Sequence, residues 1–349
     1  MGFGIAMRVR MKDIARELNV SVVTVSKALR NHDDISEATR RRVLKRVKEL
    51  NYQPNFAARA LVTGRTYMVG MVVPDLLHPF FAEVARSLMA ALRKRGYGLV
   101  IASSDEDPSL EYEEILQLLA RNLDAIVIAS TQETGDFLRH FEERKPPCIL
   151  IDRRFAGLPV DFVGVDDIRV GEMATEHLIS IGCRRIAHIR GPAVSTALER
   201  LEGYRRALAR HGLTPLPGHI SELSGGDAKS AEKGREAMRR LLDLDPRPDG
   251  VFCFNDPTAL GAINTIFTRG LRIPQDVAVI GCGNIHYDEV LAVPLSSIDQ
   301  QSTLIGERAA KLALSLIKAK APRRPTSIIL EPKVVVRAST QRSPAGASA

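Results

Sequence analysis

The segment NVSVVTVSKALRN, residues 19–31, places hydroxyl, cationic and apolar side chains at the spacing of one short helix. Ser21 is predicted to cap that helix, because its hydroxyl can accept a hydrogen bond from a free backbone N–H of the first turn. Val22 and Val23 occupy adjacent positions, which cannot both lie on the face that packs on a core. Lys27 lies one turn further along, where its ammonium can reach a phosphate or a base. The pattern indicates a helix that presents methyl groups and a cation to an outside partner.

A second set of polar side chains follows apolar runs in the rest of the chain. Its members are Asp75, Asp105, Ser130, Asp152, Asp166, Asn255 and Asp256. Apolar runs of this kind are typical of parallel strands that are buried on both faces. Ligands of such sheets bind beyond the carboxyl ends of the strands. These residues are therefore candidates for binding a small molecule.

The sequence shows no pattern of catalytic or metal chemistry. It contains no G-x-G-x-x-G, no P-loop and no G-x-S-x-G motif. Cys148, Cys183, Cys253 and Cys282 are far apart, without a C-x-x-C or paired histidines, which argues against disulfides and zinc. We expect buried free thiols, no metal, no cofactor and no enzymatic activity.

The positive charge of the chain is confined to its beginning. Residues 1–66 contain 14 Lys and Arg against 6 Asp and Glu, whereas residues 67–349 contain 35 of each, so the whole excess of +8 lies in the first segment. A neutral body with a cationic head indicates that the head meets a polyanion.

The cationic head is predicted to form three short helices. The first lies in MKDIARELNV, a tight turn follows, the second begins at Ser21, and the third has Ser36 as its N-cap. Two helices joined by so short a turn form a helix-turn-helix, whose second helix lies in the major groove of DNA. Val22 and Val23 then face DNA. The alternative, in which Val22 packs on the third helix and only Val23 is exposed, stays open.

From residue 67 onward, apolar runs alternate with helical stretches. The runs are MVGMVV, GLVIAS, AIVIAS, CILID, FVGV, IAHIRG, GVFCFND and VAVIGCG. This alternation predicts an α/β body with two doubly wound parallel-sheet lobes. No apolar run reaches the roughly 18 residues of a membrane helix, and the first residues show no cleavable signal pattern. We therefore expect a cytoplasmic protein.

MKDIARELNVSVVTVSKALRN followed by ISEATRRRVLKRVKELNYQPNFAARAL resembles the head of the lactose-repressor (LacI/GalR) family of transcriptional regulators. The match follows the family layout D-[IV]-A-x-x-x-x-V-S-x-x-T-V-S-[RK]-x-[LV]-N up to Leu29, after which Arg30 precedes Asn31; it then follows T-R-x-x-V and L-x-Y-x-P-N-x-x-A-R-x-L. The resemblance continues from Val9 to Thr340. It implies that the body has the periplasmic-binding-protein type I fold, in which two lobes close on a small molecule, usually a sugar.

With this resemblance we predict five segments. They are a helix-turn-helix head at 1–54, a hinge helix and linker at 55–66, a first lobe at about 67–164 and 294–325, a second lobe at about 165–293 and 326–340, and a disordered tail at 341–349. The body, 67–340, is expected to bind the effector and to dimerise.

For the head, the resemblance implies that Val22, Val23 and Lys27 read bases and that hydroxyl groups and helix caps hold phosphates. It also implies a hinge helix from Asn55 to Leu61 that becomes ordered when two copies pair in the minor groove, with Leu61 as a wedge. A plain interdomain linker is the alternative for this helix. The predicted DNA-binding residues are Ser21, Val22, Val23, Thr24, Ser26, Lys27, Arg30, Ser36, Thr39, Asn55, Ala58 and Leu61.

For the body, the resemblance implies an effector site between the two lobes. Arg200 is expected to hold two hydroxyls or a carboxylate with its planar fork, and Asp256 to cap the helix that follows it. Of the two phenylalanines in PDLLHPFFAEV, one is expected in the core. The predicted effector-binding residues are Asp75, Phe80, Phe81, Asp105, Ser130, Asp152, Arg153, Arg200, Asn255 and Asn284.

The sequence departs from the family where an aspartate that grips ligand hydroxyls usually follows the last parallel strand. In place of G-[YF]-D-[DN] it has GCGN, so that Gly283 stands at the aspartate position. The segment SGGDAKSAEKG also lacks the aromatic residue that family members often place over the ligand, and the chain has no tryptophan. Asn284, His286 or Arg153 can substitute, or the effector can be larger, anionic or modified.

These observations together predict a ligand-responsive transcriptional regulator, in this family most often a repressor. We expect a homodimer that binds a near-palindromic DNA operator and a sugar or sugar-derived effector. The alternative is a corepressor-dependent regulator that senses a non-sugar metabolite such as a nucleobase. A periplasmic sugar-capture protein has a similar body but no use for a basic three-helix head.

Overall fold

The structure is a computed structural model. It describes residues 9–29, 33–53, 60–61, 63–139, 141, 146–223, 229–319, 321 and 323–342. The chain separates into two compact units, Met1–Thr66 and Tyr67–Ala349.

The first unit contains three short helices around a small core. The helices are α1 (Met11–Glu17), α2 (Val22–Leu29) and α3 (Glu37–Glu49). Ile14, Val25 and Val43, one from each helix, are fully buried together. Asn19 adopts a left-handed backbone with φ of 50° in the turn between the first two helices, a conformation that asparagine tolerates better than most residues. This conformation lets the chain reverse direction within the few residues between Glu17 and Val22.

The first lobe of the second unit has a six-stranded sheet. In spatial order its strands are β11 (Ser327–Leu330), β5 (Asp161–Val165), β4 (Cys148–Ile151), β3 (Ala125–Ile128), β1 (Met68–Val73) and β2 (Gly98–Ser103). All neighbouring pairs in this sheet are parallel. β1, β3 and most of β4 and β5 are buried, as expected of strands covered by helices on both faces.

The second lobe repeats this plan with one antiparallel edge strand. In spatial order its strands are β12 (Lys333–Val335), β10 (Ser296–Asp299), β9 (Ala278–Cys282), β8 (Gly250–Cys253), β6 (Ile186–Arg190) and β7 (Ile220–Glu222). Only the β10–β12 pair is antiparallel among these strands.

Helices cover both faces of the two sheets. They are α4 (Pro79–Arg93), α5 (Pro108–Ala120), α6 (Asp167–Ser180), α7 (Ser195–Arg210), α8 (Ser230–Leu242), α9 (Asp256–Thr268) and α10 (Ser302–Lys318). α4 and α10 pack closely at Gly306. A Cβ at this position would lie only 2.4 Å from the Val84 carbonyl oxygen, so a larger residue would not fit. Within the described ranges, none of the helices combines the length and apolar character needed to span a bilayer.

The chain crosses between the lobes at other places than the sequence indicated. The predicted first lobe included 294–325, but β10 at Ser296–Asp299 pairs with β9 in the second sheet. The predicted second lobe included 326–340, but β11 at Ser327–Leu330 pairs with β5 in the first sheet. Both strands have only four residues, and a short apolar run does not reveal which sheet it joins.

Candidate DNA-reading helix and effector cleft

Helix α2 begins with the predicted serine cap. The Ser21 hydroxyl oxygen accepts a hydrogen bond from the Thr24 backbone N–H at 3.0 Å and lies 2.9 Å from the Thr24 hydroxyl. This arrangement satisfies one of the free donors of the first turn. It also places two hydroxyl groups at the positive end of the helix dipole, where a phosphate binds well.

The two adjacent valines of α2 are both exposed. Val22 is 45% and Val23 is 60% exposed, whereas Val25 and Ala28 on the opposite face are buried. The alternative in which Val22 packs on α3 therefore does not describe this structure. Neither valine belongs to the buried core of the head, so both side chains are available at the surface of α2.

Lys27 and Ser26 follow on the same surface. Val23 and Lys27 are four residues apart and so share a face of α2, as do Val22 and Ser26. The Lys27 ammonium forms an ion pair with Asp34, in the turn that leads to α3. Arg30, which was predicted to bind DNA, lies outside the described residues.

Helix α3 begins with the same capping arrangement as α2. The Ser36 hydroxyl donates to the Thr39 hydroxyl at 2.9 Å and accepts from the Thr39 backbone N–H at 3.3 Å. Two helix N-termini of the head therefore carry a serine and a threonine three residues apart, as the predicted phosphate contacts require.

The predicted hinge helix is described only at its end. Asn55 and Ala58 lie outside the described residues. Leu61 is helical and 88% exposed, and the Gly64 N–H donates to the Ala60 carbonyl at 2.8 Å. An apolar side chain of this size and exposure is available to a partner.

In the body, a small cavity lies where the two lobes face each other. Its volume is about 20 Å³, which is room for about one water molecule. It is lined by His78, Phe80, Phe81, Asp152, Arg153, Arg200, Phe254, Asn255 and Gln300. Six of the ten predicted effector residues meet here. Phe80 and Phe81 both line the cavity and both belong to the core of the first lobe.

The charge of Arg153 is already compensated inside the first lobe. Its two terminal nitrogens donate to the Glu106 carboxylate at 3.1 and 2.8 Å, and both side chains are buried. Arg153 also donates to the Ser130 carbonyl at 3.3 Å. A bidentate pair of this kind leaves little net positive charge for a ligand.

Arg200 is compensated in the same way inside the second lobe. Its Nε donates to Asp167 Oδ1 at 2.8 Å, its Nη1 donates to the Phe254 carbonyl at 2.8 Å, and the guanidinium lies 4.9 Å from the Phe254 ring centre. Burial raises the pKa of Asp167 to about 7, and the Arg200 charge opposes that rise. Within the described residues Nη2 has no hydrogen-bond partner, so Arg200 offers one terminal nitrogen rather than its whole fork.

Asp152 is the acidic group that faces the cavity. Its backbone is left-handed, with φ of 62°, a strained conformation for a residue other than glycine. Its Oδ1 accepts from Gln300 Nε2 at a long 3.3 Å, and its Oδ2 is 4.0 Å from Arg153 Nε. Asp152 therefore retains the capacity to accept hydrogen bonds from a ligand.

Asn255, not Asp256, caps helix α9. The Asn255 Oδ1 accepts from the Thr258 N–H at 2.9 Å, and its Nδ2 lies 3.2 Å from His78 Nε2 across the cavity. The prediction that Asp256 is the cap was wrong. Asp256 is the first residue inside the helix, where its buried carboxylate accepts from the Ser297 hydroxyl at 2.7 Å and the Ile285 N–H at 3.2 Å.

Four predicted effector residues do not line the inner cavity, and each is hydrogen-bonded to another group. Asp75 accepts from the Leu77 N–H at 2.7 Å, and the exposed Asp105 accepts from the Ser103 hydroxyl at 2.8 Å. Ser130 donates to Glu111 at 2.6 Å, and the Asn284 Oδ1 accepts from Arg337 at 2.7 Å.

Sequence reasoning missed His78, Phe254 and Gln300. His78 is the N-cap of helix α4, which carries the two predicted phenylalanines in its first turn, and Phe254 directly precedes Asn255, so both residues lie within the predicted segments. Gln300 follows β10, a strand that the apolar pattern did not reveal. Its polar side chain after a buried strand end was the available signal.

Several contacts join the lobes beside the cavity. Arg154 donates to Glu199 at 3.1 and 2.8 Å, and the Arg154 N–H donates to the Ser195 hydroxyl at 2.9 Å. His286 Nδ1 lies 3.3 Å from Glu83 Oε1. An outer cleft of about 1150 Å³ adjoins the cavity, shares Arg153 with it, and includes Ser130 among its walls. The body thus has a small inner cavity, closely lined by side chains, and a larger cleft next to it.

Comparison with known proteins agrees with this geometry. Residues 10–55 match the model of bacterial regulatory proteins of the lacI family, and residues 175–340 match that of the periplasmic binding protein-like domain. The chain is 33% identical over 338 residues to the HTH-type transcriptional regulator DegA of Bacillus subtilis (strain 168), which covers 96% of this chain and 98% of DegA. It is 31% identical to the HTH-type transcriptional repressor PurR of Mannheimia succiniciproducens, over 95% of this chain and 98% of PurR.

Solved structures show the same fold over nearly the whole chain. The complex of the transcriptional regulator CelR with cellobiose is 31% identical and superposes with a TM-score of 0.72, covering 95% of this chain and 100% of that one. The lac repressor dimer bound to operator and the anti-inducer ONPF is 23% identical, with a TM-score of 0.82 over 96% and 99%. With this fold, this helix-turn-helix head and these relatives, the chain belongs to the LacI family of DNA-binding transcriptional regulators, which are not enzymes.

Proposed function

We propose that this regulator is a cytoplasmic homodimeric repressor that reads a near-palindromic operator with α2 and responds to a neutral, hydroxyl-bearing effector, a sugar or sugar derivative. The observation that carries the DNA-binding part is the exposure of both Val22 and Val23 between two serine-capped helix N-termini. The observation that carries the effector part is the internal compensation of both cavity arginines.

The head supplies both kinds of DNA contact. Valine methyl groups pack on the C5-methyl group of thymine in the major groove, and a lysine can donate to guanine. The hydroxyls of the two capped helices and the basic side chains bind phosphates, which fix the register and make the affinity depend on salt. Arg40, Arg41 and Lys45 lie on α3 with this role.

The hinge segment bends the operator. Leu61, exposed at the end of the described hinge residues, is proposed to insert between two base pairs when two hinge helices pair in the minor groove. Unstacking a base step costs free energy, which the better-wrapped DNA offsets. Two heads then contact half-sites about one helical turn apart.

The charges around the inner cavity favour a neutral effector. Arg153 is paired with the buried Glu106 carboxylate, and Arg200 donates to the buried Asp167 carboxyl and to the Phe254 carbonyl, so most donors of both guanidinium groups are already used inside the lobes. Asp152 is then the remaining charged group, and it accepts hydrogen bonds from hydroxyl donors. The rings beside it, including Phe254, suit the apolar face of a sugar ring. The complex of the 31%-identical CelR with cellobiose supports a carbohydrate.

Lobe movement couples the effector to DNA. The inner cavity of about 20 Å³ cannot contain a sugar ring, so an effector bound by the residues that line it requires a wider separation of the lobes than in this structure. The effector shifts DNA affinity by the difference between its affinities for the two lobe arrangements. If the effector releases the repressor from its operator, the lobe arrangement of this structure is the one that binds DNA.

A ligand panel tests the effector class. The purified protein is heated with neutral mono- and disaccharides, with sugar phosphates, with sugar acids and with nucleobases. A specific ligand at a hundred times its Kd stabilises the body by about 2.7 kcal/mol. We expect a neutral saccharide to raise the unfolding temperature and to release operator DNA. Stabilisation by a phosphorylated or acidic sugar contradicts the charge argument, and stabilisation by a nucleobase with tighter DNA binding establishes a corepressor instead.

A further inference from the structure

An acidic residue lies beside the cation of the proposed DNA-reading surface. Lys27, in the last turn of α2, pairs through its Nζ with the carboxylate of Asp34. The two side chains are 35% and 52% exposed, so the pair lies at the surface rather than in the core. An acid at this place has no part in the core formed by Ile14, Val25 and Val43.

The pair changes what the lysine can do. A free lysine ammonium on a flexible stem binds phosphates on DNA of any sequence. An ammonium has three N–H donors, and a carboxylate that takes one of them leaves two and limits the directions in which they point. The same carboxylate repels phosphate oxygens, because like charges are unfavourable at a contact.

We propose that Asp34 is a positioning residue that determines specificity: it holds the Lys27 ammonium over the face that carries Val23, directs it to base acceptors, and weakens its attraction to phosphates. The inference rests on the proposed function of α2 as the reading helix. As a consequence, the regulator binds non-specific DNA less tightly and discriminates better between its operator and other sequences.

Asp33 offers a matched control for Asp34. It is the preceding residue, it has the same charge and is exposed, and no ion pair is described for it. Asp33→Asn and Asp34→Asn therefore change the net charge of the head equally. Only Asp34→Asn releases Lys27.

The experiment measures the affinity of the full-length protein for two DNA duplexes of equal length. One carries the operator selected by the protein, and the other is scrambled. Anisotropy titrations between about 50 and 200 mM salt give the affinity and its salt dependence. The proteins are wild type, Asp34→Asn, Asp33→Asn, Asp34→Glu and Lys27→Met, with the double variant Lys27→Met/Asp34→Asn.

We expect Asp34→Asn to tighten binding to scrambled DNA and to steepen its log–log salt dependence by about 0.9, the effect of one further phosphate contact. The ratio of operator to scrambled affinity should fall about fivefold, the low end for loss of one directed base contact. Asp33→Asn should raise both affinities by the same factor. Asp34→Glu should keep the ratio, and in the Lys27→Met background Asp34→Asn should act like Asp33→Asn.

Two outcomes overturn the inference. One is an equal change of the ratio by Asp33→Asn and Asp34→Asn, and the other is an undiminished effect of Asp34→Asn when Lys27 is absent. If Asp34→Asn unfolds the head, the operator-to-scrambled affinity ratios of Lys27→Met and Asp34→Glu still test the inference. A wild-type protein that does not prefer its selected operator refutes the proposed function itself, which is a distinct result.

Discussion

Replacing Arg200 by methionine tests how far this buried arginine stabilises the fold through Asp167. The guanidinium is buried, donates to Asp167 and to the Phe254 carbonyl at 2.8 Å each, and lies over the Phe254 ring. Methionine keeps an apolar stem over that ring and removes the charge. The carboxyl of Asp167 then stays buried without its cation.

The expected cost depends on pH, and its sign follows from the raised pKa of Asp167. Burial raises that pKa from 3.8 to about 7 in the wild type, and loss of Arg200 raises it further. A carboxyl whose pKa is higher in the folded than in the unfolded chain stabilises the fold fully at pH values below its unfolded-state pKa. This stabilisation is lost as the pH rises through its folded-state pKa. The loss of stability that Asp167 causes in the wild type therefore levels off near pH 7. In the variant the loss that Asp167 causes continues above pH 7 by about 1.4 kcal/mol per pH unit.

The lost hydrogen bonds add a cost at every pH. Together they destabilise the variant by about 1–3 kcal/mol near pH 6, where Asp167 is protonated in both proteins. Near pH 8.5 the total reaches about 3–5 kcal/mol, as is typical of a broken buried ion pair. Urea unfolding followed by circular dichroism measures these free energies, since the chain has no tryptophan.

Arg154→Met is the matched control. Arg154 also holds a carboxylate, Glu199, through two hydrogen bonds, but its side chain is 39% exposed. Its loss should cost less than about 1 kcal/mol at either pH. A destabilisation by Arg200→Met that does not change between the two pH values, or one no larger than that of Arg154→Met, refutes this reasoning.

Three further predictions concern the head, the hinge and the second lobe. Leu61→Ala should lower operator affinity and reduce DNA bending in a circular-permutation assay; unchanged bending would exclude the wedge. Val22 and Val23 exchanged together for serines should redirect the sequence preference in a binding-site selection, and an unchanged site would show that they do not read bases. Asp288 is fully buried, and burial beside Asp256 raises the pKa of its carboxyl to about 9. Asp288→Asn should therefore remove most of the loss of stability that the wild type shows as pH rises toward 9, and an equal loss in both proteins, measured by urea unfolding, would contradict this.

The sequence patterns predicted most of the fold because long apolar runs leave few alternatives. Each of the eight runs from MVGMVV to VAVIGCG contains a strand, since β-branched runs without polar alternation are typical of strands covered on both faces. The short strands at Ile220–Glu222, Ser296–Asp299, Ser327–Leu330 and Lys333–Val335 were not identified. Runs of three or four residues carry too little periodicity to be recognised.

The candidate site was predictable in its charges and less so in its contacts. Asp152, Arg153 and Arg200 meet at the cavity as expected, but the partners that neutralise the arginines come from distant positions in the chain. Asn255, which also lines the cavity, caps helix α9 in place of Asp256; the sequence did not distinguish them, because either side chain suits a helix N-terminus. Only the packing of Ser297 and Ile285 against Asp256 decides between them.

Selection of genomic DNA fragments on the purified protein, followed by sequencing, tests the central claim most directly. The account predicts enrichment of a near-palindrome with half-sites about one helical turn apart, and release of the enriched fragments by a neutral saccharide. Absence of an enriched sequence, both with and without an added metabolite pool, would contradict the proposal that α2 reads DNA.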